Sequence, residues 1–280
     1  MPLSVVRARR ALAGLAALSA GLGLLPLSLP YMRPSAPLPI VERLEARAAG
    51  PVISLPFNEG SGTTVSDATG NGNSGTLTNG PAWTTGKTGS ALSFDGSNDS
   101  VYVANSSSLN TATRGLTVSA WVYRNANQQG FVSVLSRQQG TSYYERFYLG
   151  FENGNYRWLV NTTSGYSDLT VGGAAPLGQW LHLVGTFDGT DVKLYVNGAL
   201  QFSSPHSGTL PTDTTGLTIG ANYNDAAHTA QEVFNGKIDE VNVYGQALTS
   251  QDVATLYQTK SGPIVRLALD EGGGTTAADS

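Results

Sequence analysis

The stretch TFDGTDVKLYVNGAL, residues 186–200, places two hairpin turns around one short strand. Asp188-Gly189 and Asn197-Gly198 are dipeptides that reach positive φ cheaply, as tight hairpins require. Between them Val192, Leu194 and Val196 alternate with Lys193 and Tyr195, the period of two expected of a strand with one buried face. Outward from this stretch the same alternation recurs at 52–57, 91–94, 100–103, 116–123, 131–136, 146–151, 156–160, 180–187, 217–220 and 237–244. Asp95-Gly96, Asn153-Gly154 and Asn235-Gly236 supply further turn signals. One helix is predicted after the last strand. Thr249 and Asp252 fit a capping box, and Val253, Leu256 and Tyr257 follow on one face. So many strands with one short helix predict an all-β fold, a two-sheet antiparallel jelly-roll sandwich with a short C-terminal helix.

Composition points the same way. Gly accounts for 34 of 280 residues and charged residues for only 13%. There are no cysteines, which excludes disulfides, thiolate metal sites and a Cys nucleophile. Residues 1–50 carry a net +4 and residues 51–260 a net −6. An acidic module of this kind is expected to bind no nucleic acid, which calls for dense positive charge.

Residues 1–50 read as a separate unit. Arg7, Arg9 and Arg10 precede an apolar run over 11–32, and no acid appears before Glu42. That is the pattern of a cleaved export signal or of a membrane anchor through residues 11–32, followed by a linker. The chain also begins again at its end. PIVRLALDEGGGTTAADS (263–280) shares eight of 18 positions with PVISLPFNEGSGTTVSDA (51–68). The offset of 212 residues is the size of a whole domain. The expected organisation is a domain over 51–260 and, over 261–280, a linker plus the first strand of a truncated second copy. A monomeric module in a tandem array follows from this.

Five segments stand in the order found in laminin-G-like, concanavalin A-like jelly-roll domains. They are LPFNEGSGTTVSDATGNGNSGTL, ALSFDGSNDSVYV, LTVSAWVY, GQWLHLVGTFDGTDVKLYVNGAL and FNGKIDEVNVYGQALTSQDV. Residues 51–260 thus resemble that family. The resemblance implies a binding or adhesion module, sometimes appended to glycosidases, and a structural Ca²⁺ near the opening loop. On this resemblance the metal is carried onto Asp67, Asn71 and Asp239, with Glu59 a further candidate. The residue-level alternative is an Asx turn at Asp67 and solvated acids.

Catalysis finds little in the sequence. No E-x-D-x-x-E strand, nucleophile elbow or phosphate loop is present. Glu145 and Glu152, seven apart, are expected on opposite faces of one strand. Sugar binding needs aromatic faces and polar groups. Tyr143, Tyr156, Trp158, Tyr166 and Tyr223 are the candidate ligand-binding residues, with Tyr166 and Tyr223 placed in polar loops, whereas Trp121 and Trp180 are expected in the core. The expected function is an exported, non-catalytic binding or adhesion module for glycan or matrix, secreted or at the cell surface. The alternatives are a carbohydrate-binding accessory domain of a larger enzyme and a ligand-free spacer.

Overall fold

The computed structural model describes residues 50–140, 145–223 and 230–261. These all fall within the second of two compact units of the chain, Pro39–Ser280. The signal or anchor segment, the second copy over 263–280 and Tyr143 lie outside the described residues.

Eighteen strands, one α-helix and a 3₁₀ turn at Ser108–Asn110 are described. The strands are β1 (Ile53–Leu55), β2 (Thr64–Val65), β3 (Gly75–Thr78), β4 (Ala82–Thr85), β5 (Ser90–Asp95), β6 (Ser100–Val103), β7 (Leu116–Arg124), β8 (Phe131–Gln138), β9 (Glu145–Glu152), β10 (Asn155–Thr162), β11 (Gly165–Val171), β12 (Trp180–Phe187), β13 (Asp191–Val196), β14 (Ala199–Pro205), β15 (Leu217–Ile219), β16 (Asn222–Tyr223), β17 (Ala230–Gln231) and β18 (Asn235–Tyr244), and the helix is α1 (Ser250–Ser261). One sheet runs β14-β13-β12-β7-β18-β5-β4, with β1 also paired to β18. The second runs β11-β10-β9-β8-β15-β6-β3-β2, and β16-β17 form a small ribbon. Every pairing is antiparallel, so the expected two-sheet sandwich with a C-terminal helix is the fold observed.

The two inner faces meet in one continuous apolar core. Leu116, Val118, Ala120 and Val122 of β7 and Leu181, Leu183 and Phe187 of β12 face Phe147, Leu149 and Phe151 of β9 and Trp158 and Val160 of β10. Two of the Asn-Gly pairs turn as their chemistry requires, Asn153 and Gly154 at φ of 49° and 81° and Asn197 and Gly198 at 51° and 78°. Asn235-Gly236, expected as a turn, instead opens β18 and pairs with β5.

The outer face of the first sheet is covered by α1. The capping box forms, with the Asp252 N–H donating to Thr249 Oγ1 at 3.2 Å and the Thr249 N–H donating to Asp252 Oδ2 at 2.9 Å. Val253 and Leu256 pack on Val184, Tyr195 and Tyr244. Tyr257 stacks on Trp121 at 5.6 Å, and Trp121 stacks on His182 at 5.0 Å. Trp121 is therefore buried, but beneath the helix rather than between the sheets. Trp180 is half-buried at the first position of β12, edge-on to Tyr123, which corrects the expectation of a core residue.

His182 is 3% exposed, and burial pushes its pKa down to about 4. The unfolded chain takes up this proton near pH 6.5, whereas the folded one resists until about pH 4. Stability contributed here is complete above pH 6.5 and is lost as the pH falls toward 4, by up to about 3 kcal/mol. Asp239, whose raised pKa works in the opposite sense over the same window, is common to the wild type and His182→Phe. The urea midpoint of the wild type should therefore fall relative to that of His182→Phe as the pH is lowered from 6.5 to 4, and a constant difference between the two would contradict the assignment.

Candidate functional site

The helix packs on Val184, Tyr195 and Tyr244 of the first sheet's outer face; on the second sheet the outer face stays open beside β10 and β11, where β11 is largely exposed. A cleft of about 260 Å³ lies there, lined by Phe131, Glu145, Arg157, Leu159, Asn161, Tyr166 and Asp168. Strand alternation places these residues together. On β10, Tyr156, Trp158 and Val160 face the core, so Arg157, Leu159 and Asn161 face out. Antiparallel register sets Asp168 opposite Leu159 and Tyr166 opposite Asn161.

A bulge brings in Glu145. Arg137 pairs with Phe147 and Gln138 with Glu145, leaving Arg146 as the extra residue. The bulge sends both Arg146 and Phe147 inward and returns Glu145 to the outer face. Glu152 lies on that same face, where its Oε2 accepts from the Thr170 hydroxyl at 2.7 Å. The expectation that Glu145 and Glu152 point opposite ways is thereby corrected.

Arg157 is the anchor of the cleft. Its side chain is 7% exposed, and Nε and Nη2 donate to the two oxygens of Asp168 at 2.9 and 2.7 Å. Its guanidinium also lies over the Phe131 ring at 4.2 Å and the Tyr148 ring at 4.7 Å. A planar cation held by a carboxylate fork and two rings is rigid. Phe131 and Tyr166 remain 42% and 58% exposed, so two aromatic side chains meet solvent at the cleft. Asn222 Nδ2 donates to Glu145 Oε1 at 2.7 Å and to Glu232 Oε2 at 3.2 Å. Burial, with Glu145 close by, holds Glu232 above the ordinary carboxylate range.

Of the aromatic candidates among the described residues, only Tyr166 is exposed in this cleft, and it stands on β11 rather than in a loop. Trp158 is 0% exposed, a core residue whose Nε1 donates to the Thr186 carbonyl at 3.2 Å; it is corrected from ligand contact to inter-sheet packing. Tyr223 is 6% exposed, lies on β16, shares a 2.7 Å hydrogen bond with Ser100 Oγ and packs on Tyr102, so it too is corrected to a structural role. Tyr156 is half-buried with its ring against Phe151 on the inward face. Phe131, Arg157 and Asp168 are site residues that the sequence reading missed. The signal available was the placing of Arg157 and Asn161 at positions alternating with Tyr156, Trp158 and Val160, which puts the two polar groups on the face away from the core.

The expected metal ligands fall in two separate hydrogen-bonded places, Glu59, Asp67 and Asn71 in the loops either side of β2 and Asp239 within β18. Asp67 accepts from the N–H of Ser54, Thr69 and Asn73 and from the Thr69 hydroxyl. Burial acts to raise its pKa, but these donors outweigh it and hold the carboxyl below its ordinary value. Asn71 donates to the Val52 carbonyl and Glu59 accepts from the Ser66 N–H. Asp239 is 0% exposed and takes the N–H groups of Lys87 and Thr88 on Oδ2 and of Glu240 on Oδ1. Burial pushes its pKa up to about 7 against those N–H donors, and Glu240 adds to the rise. Calcium needs six to eight converging oxygens. Here N–H donors converge on the carboxylates instead, and no group of three or more His, Asp or Glu gathers among the described residues. The residues as placed do not fit a calcium sphere.

A second cleft of about 510 Å³, lined by Asn105, Asn110, Gln139, Gly140, Thr212, Asp213 and Thr214, lies at the loop end of the sandwich. Its polar atoms already serve the protein. Asn110 Oδ1 accepts from Arg137, Arg146 and the Asp213 N–H, and Asp213 accepts from Gly140, Thr214 and Thr215.

A family model described as the concanavalin A-like lectin/glucanases superfamily matches residues 94–254. Among solved structures the chain is similar to domain 4 of AbnA, a GH43 extracellular arabinanase from Geobacillus stearothermophilus, in complex with arabinotriose. The identity is 23% and the TM-score 0.59, over 75% of this chain and 100% of that one. The binding domain of Paraclostridial Mosquitocidal Protein 1 is similar at 18% identity and TM-score 0.59, and that of botulinum neurotoxin serotype G at 13% and 0.60. Each of these two covers 75% of this chain, which in turn spans about half of them, 52% and 51%. No curated protein matches the chain. No helix among the described residues is long and apolar enough to cross a membrane.

Proposed function

The chain belongs to the concanavalin A-like lectin/glucanases superfamily, and on that premise we propose that its sandwich binds glycan without cleaving it, through the cleft on the outer face of the second sheet. The observation that carries this is the pairing of exposed Phe131 and Tyr166 with the fixed polar groups of Arg157, Asp168, Asn161 and Glu145 in one open depression. Aromatic faces suit the C–H faces of sugar rings, and positioned carboxylates and amides suit their hydroxyls.

A hydrolytic role is disfavoured by what lies between the acids. Glycoside cleavage needs two carboxyls roughly 5–10 Å apart with the scissile bond between them. Glu145 and Glu232 are a close pair, yet the 4%-exposed amide of Asn222 occupies the space between them and bonds to both. Asp168 is committed to Arg157.

The similarity to a domain of an extracellular arabinanase favours an accessory role, holding a larger enzyme on its polymer. Arg7, Arg9 and Arg10 before the apolar run support export. The restart at Pro263 supports a tandem array, in which weak single-site binding is multiplied.

The test is calorimetric titration of the whole chain with a panel of neutral and acidic oligosaccharides. Phe131→Ala and Tyr166→Ala should each weaken binding roughly tenfold, the scale of truncating an aromatic anchor, while leaving the melting temperature nearly unchanged. A chain that binds no member of the panel would favour the spacer role.

A further inference from the structure

Resting on the glycan-binding reading, we infer that the cleft accepts uncharged oligosaccharides and turns away acidic ones, and that Asp168 is the residue that sets this choice. Among the described residues Arg157 is the only cation lining the cleft, so it is the one group of that set that could welcome a uronate or sialate carboxylate. Its Nε/Nη2 edge, the one that could grip a carboxylate bidentately from that side, is already taken, because both donate to Asp168. The guanidinium cannot swing to a second partner either, since Phe131 and Tyr148 hold its faces at 4.2 and 4.7 Å.

With Arg157 neutralised by Asp168, the charge left over at the cleft is negative. Glu145 lines it, and Glu232 stands beside Glu145 across the Asn222 amide. An acidic sugar would have to displace Asp168 from a bidentate pair or sit unpaired among carboxylates, and either is unfavourable. A neutral sugar meets neither obstacle. Its hydroxyls can donate to the lone pairs that Asp168 turns to solvent, its side chain being 32% exposed. Asp168 acts by masking the arginine, and it does so from an edge strand where its replacement disturbs no core contact.

The test compares neutral pentose and hexose trisaccharides with trigalacturonate, titrated into the whole chain at low salt. In the wild type at least one neutral trisaccharide binds, and trigalacturonate binds roughly tenfold or more weakly than it, the scale of one unrelieved like-charge contact near a surface. High salt narrows that gap by screening. Asp168→Asn frees the Arg157 fork, so trigalacturonate binding tightens roughly tenfold while neutral binding falls, and adding Arg157→Gln removes the gain. Trigalacturonate binding the wild type as tightly as the neutral sugars overturns the assignment while leaving the glycan reading intact. So does a folded Asp168→Asn chain with unchanged preference. Should Asp168→Asn not fold, the wild-type preference and its salt dependence decide alone. Absence of binding to every sugar overturns both readings together.

Discussion

Replacing Gly185 with alanine should lower the stability of the sandwich by about 3 kcal/mol, and replacing it with valine should prevent folding. Gly185 faces inward at the middle of β12, opposite the Trp158 ring. A Cβ placed on it would lie 2.3–2.6 Å from Cδ2, Cε3 and Cε2 of that indole. The backbone there needs no positive φ, so the requirement for glycine is purely one of space. The ring has nowhere to retreat. It is 0% exposed, its Nε1 is tied to the Thr186 carbonyl, and Phe147 packs at 6.4 Å. Overpacking a well-filled core costs about 1–3 kcal/mol, and a clash with a fixed ring belongs at the upper end. In a domain of this size that corresponds to a fall in Tm of roughly 10 °C. A double-mutant cycle with Trp158→Leu gives the sharper result. The penalty for Gly185→Ala should shrink once the indole is gone, and strictly additive losses would show that the two residues do not set the spacing of the sheets.

The second large effect lies at the loop end of the sandwich. Arg137→Ala should cost about 3–5 kcal/mol, the range for breaking a buried charged network. Arg137 is 1% exposed and donates to the carbonyls of Leu109, Thr215 and Asp213 and to the amide oxygens of Asn105 and Asn110. Arg146, also 1% exposed, reaches Asn110 Oδ1 and the Ala112 carbonyl. Burial first, and then the neighbouring charge of Arg146, bring the Arg137 pKa down to about 10, with Asp213 opposing the fall. The group stays charged at neutral pH. Its removal leaves buried acceptors from two connections, β6–β7 and β14–β15, without donors, each costing about 1–3 kcal/mol. Urea midpoints for Arg137→Ala and Asn110→Ala should both fall, and the double variant should lose much less than the sum, because Asn110 serves the same network. Midpoints within error of the wild type would show that water replaces the guanidinium.

The strands that carry one apolar face were legible in the sequence. The alternation over 100–103 and 180–187 gave those elements with their ends, and Thr249 with Asp252 gave the start of the helix. Other strands carried no such mark. β14 is exposed along nearly its whole length and so shows no burial period, and β2 has only two residues. The turn between β10 and β11 is Thr163-Ser164, without an Asn-Gly signal, which hid β11 and left Tyr166 in an apparent loop. The cleft depended on features that period-two reading cannot supply. The bulge at Arg146 reverses the face of Glu145, and the Arg157–Asp168 fork exists only once the β10–β11 register is fixed. Trp158 and Tyr223 were misassigned for a common reason: an aromatic beside polar neighbours reads as exposed, yet one fills the gap above Gly185 and the other buries its hydroxyl against Ser100.

The most direct test of glycan binding at the second sheet is a nuclear magnetic resonance titration of the isotope-labelled chain with a neutral trisaccharide. The Arg157 Nε–H and the backbone amides of Phe131, Asn161 and Tyr166 should shift progressively and saturate together, while the amides of Asn110 and Asp213 and those of α1 stay in place. Saturating shifts confined to the loop-end cleft or to the helix-covered face, with the Arg157 resonance unmoved, would contradict it.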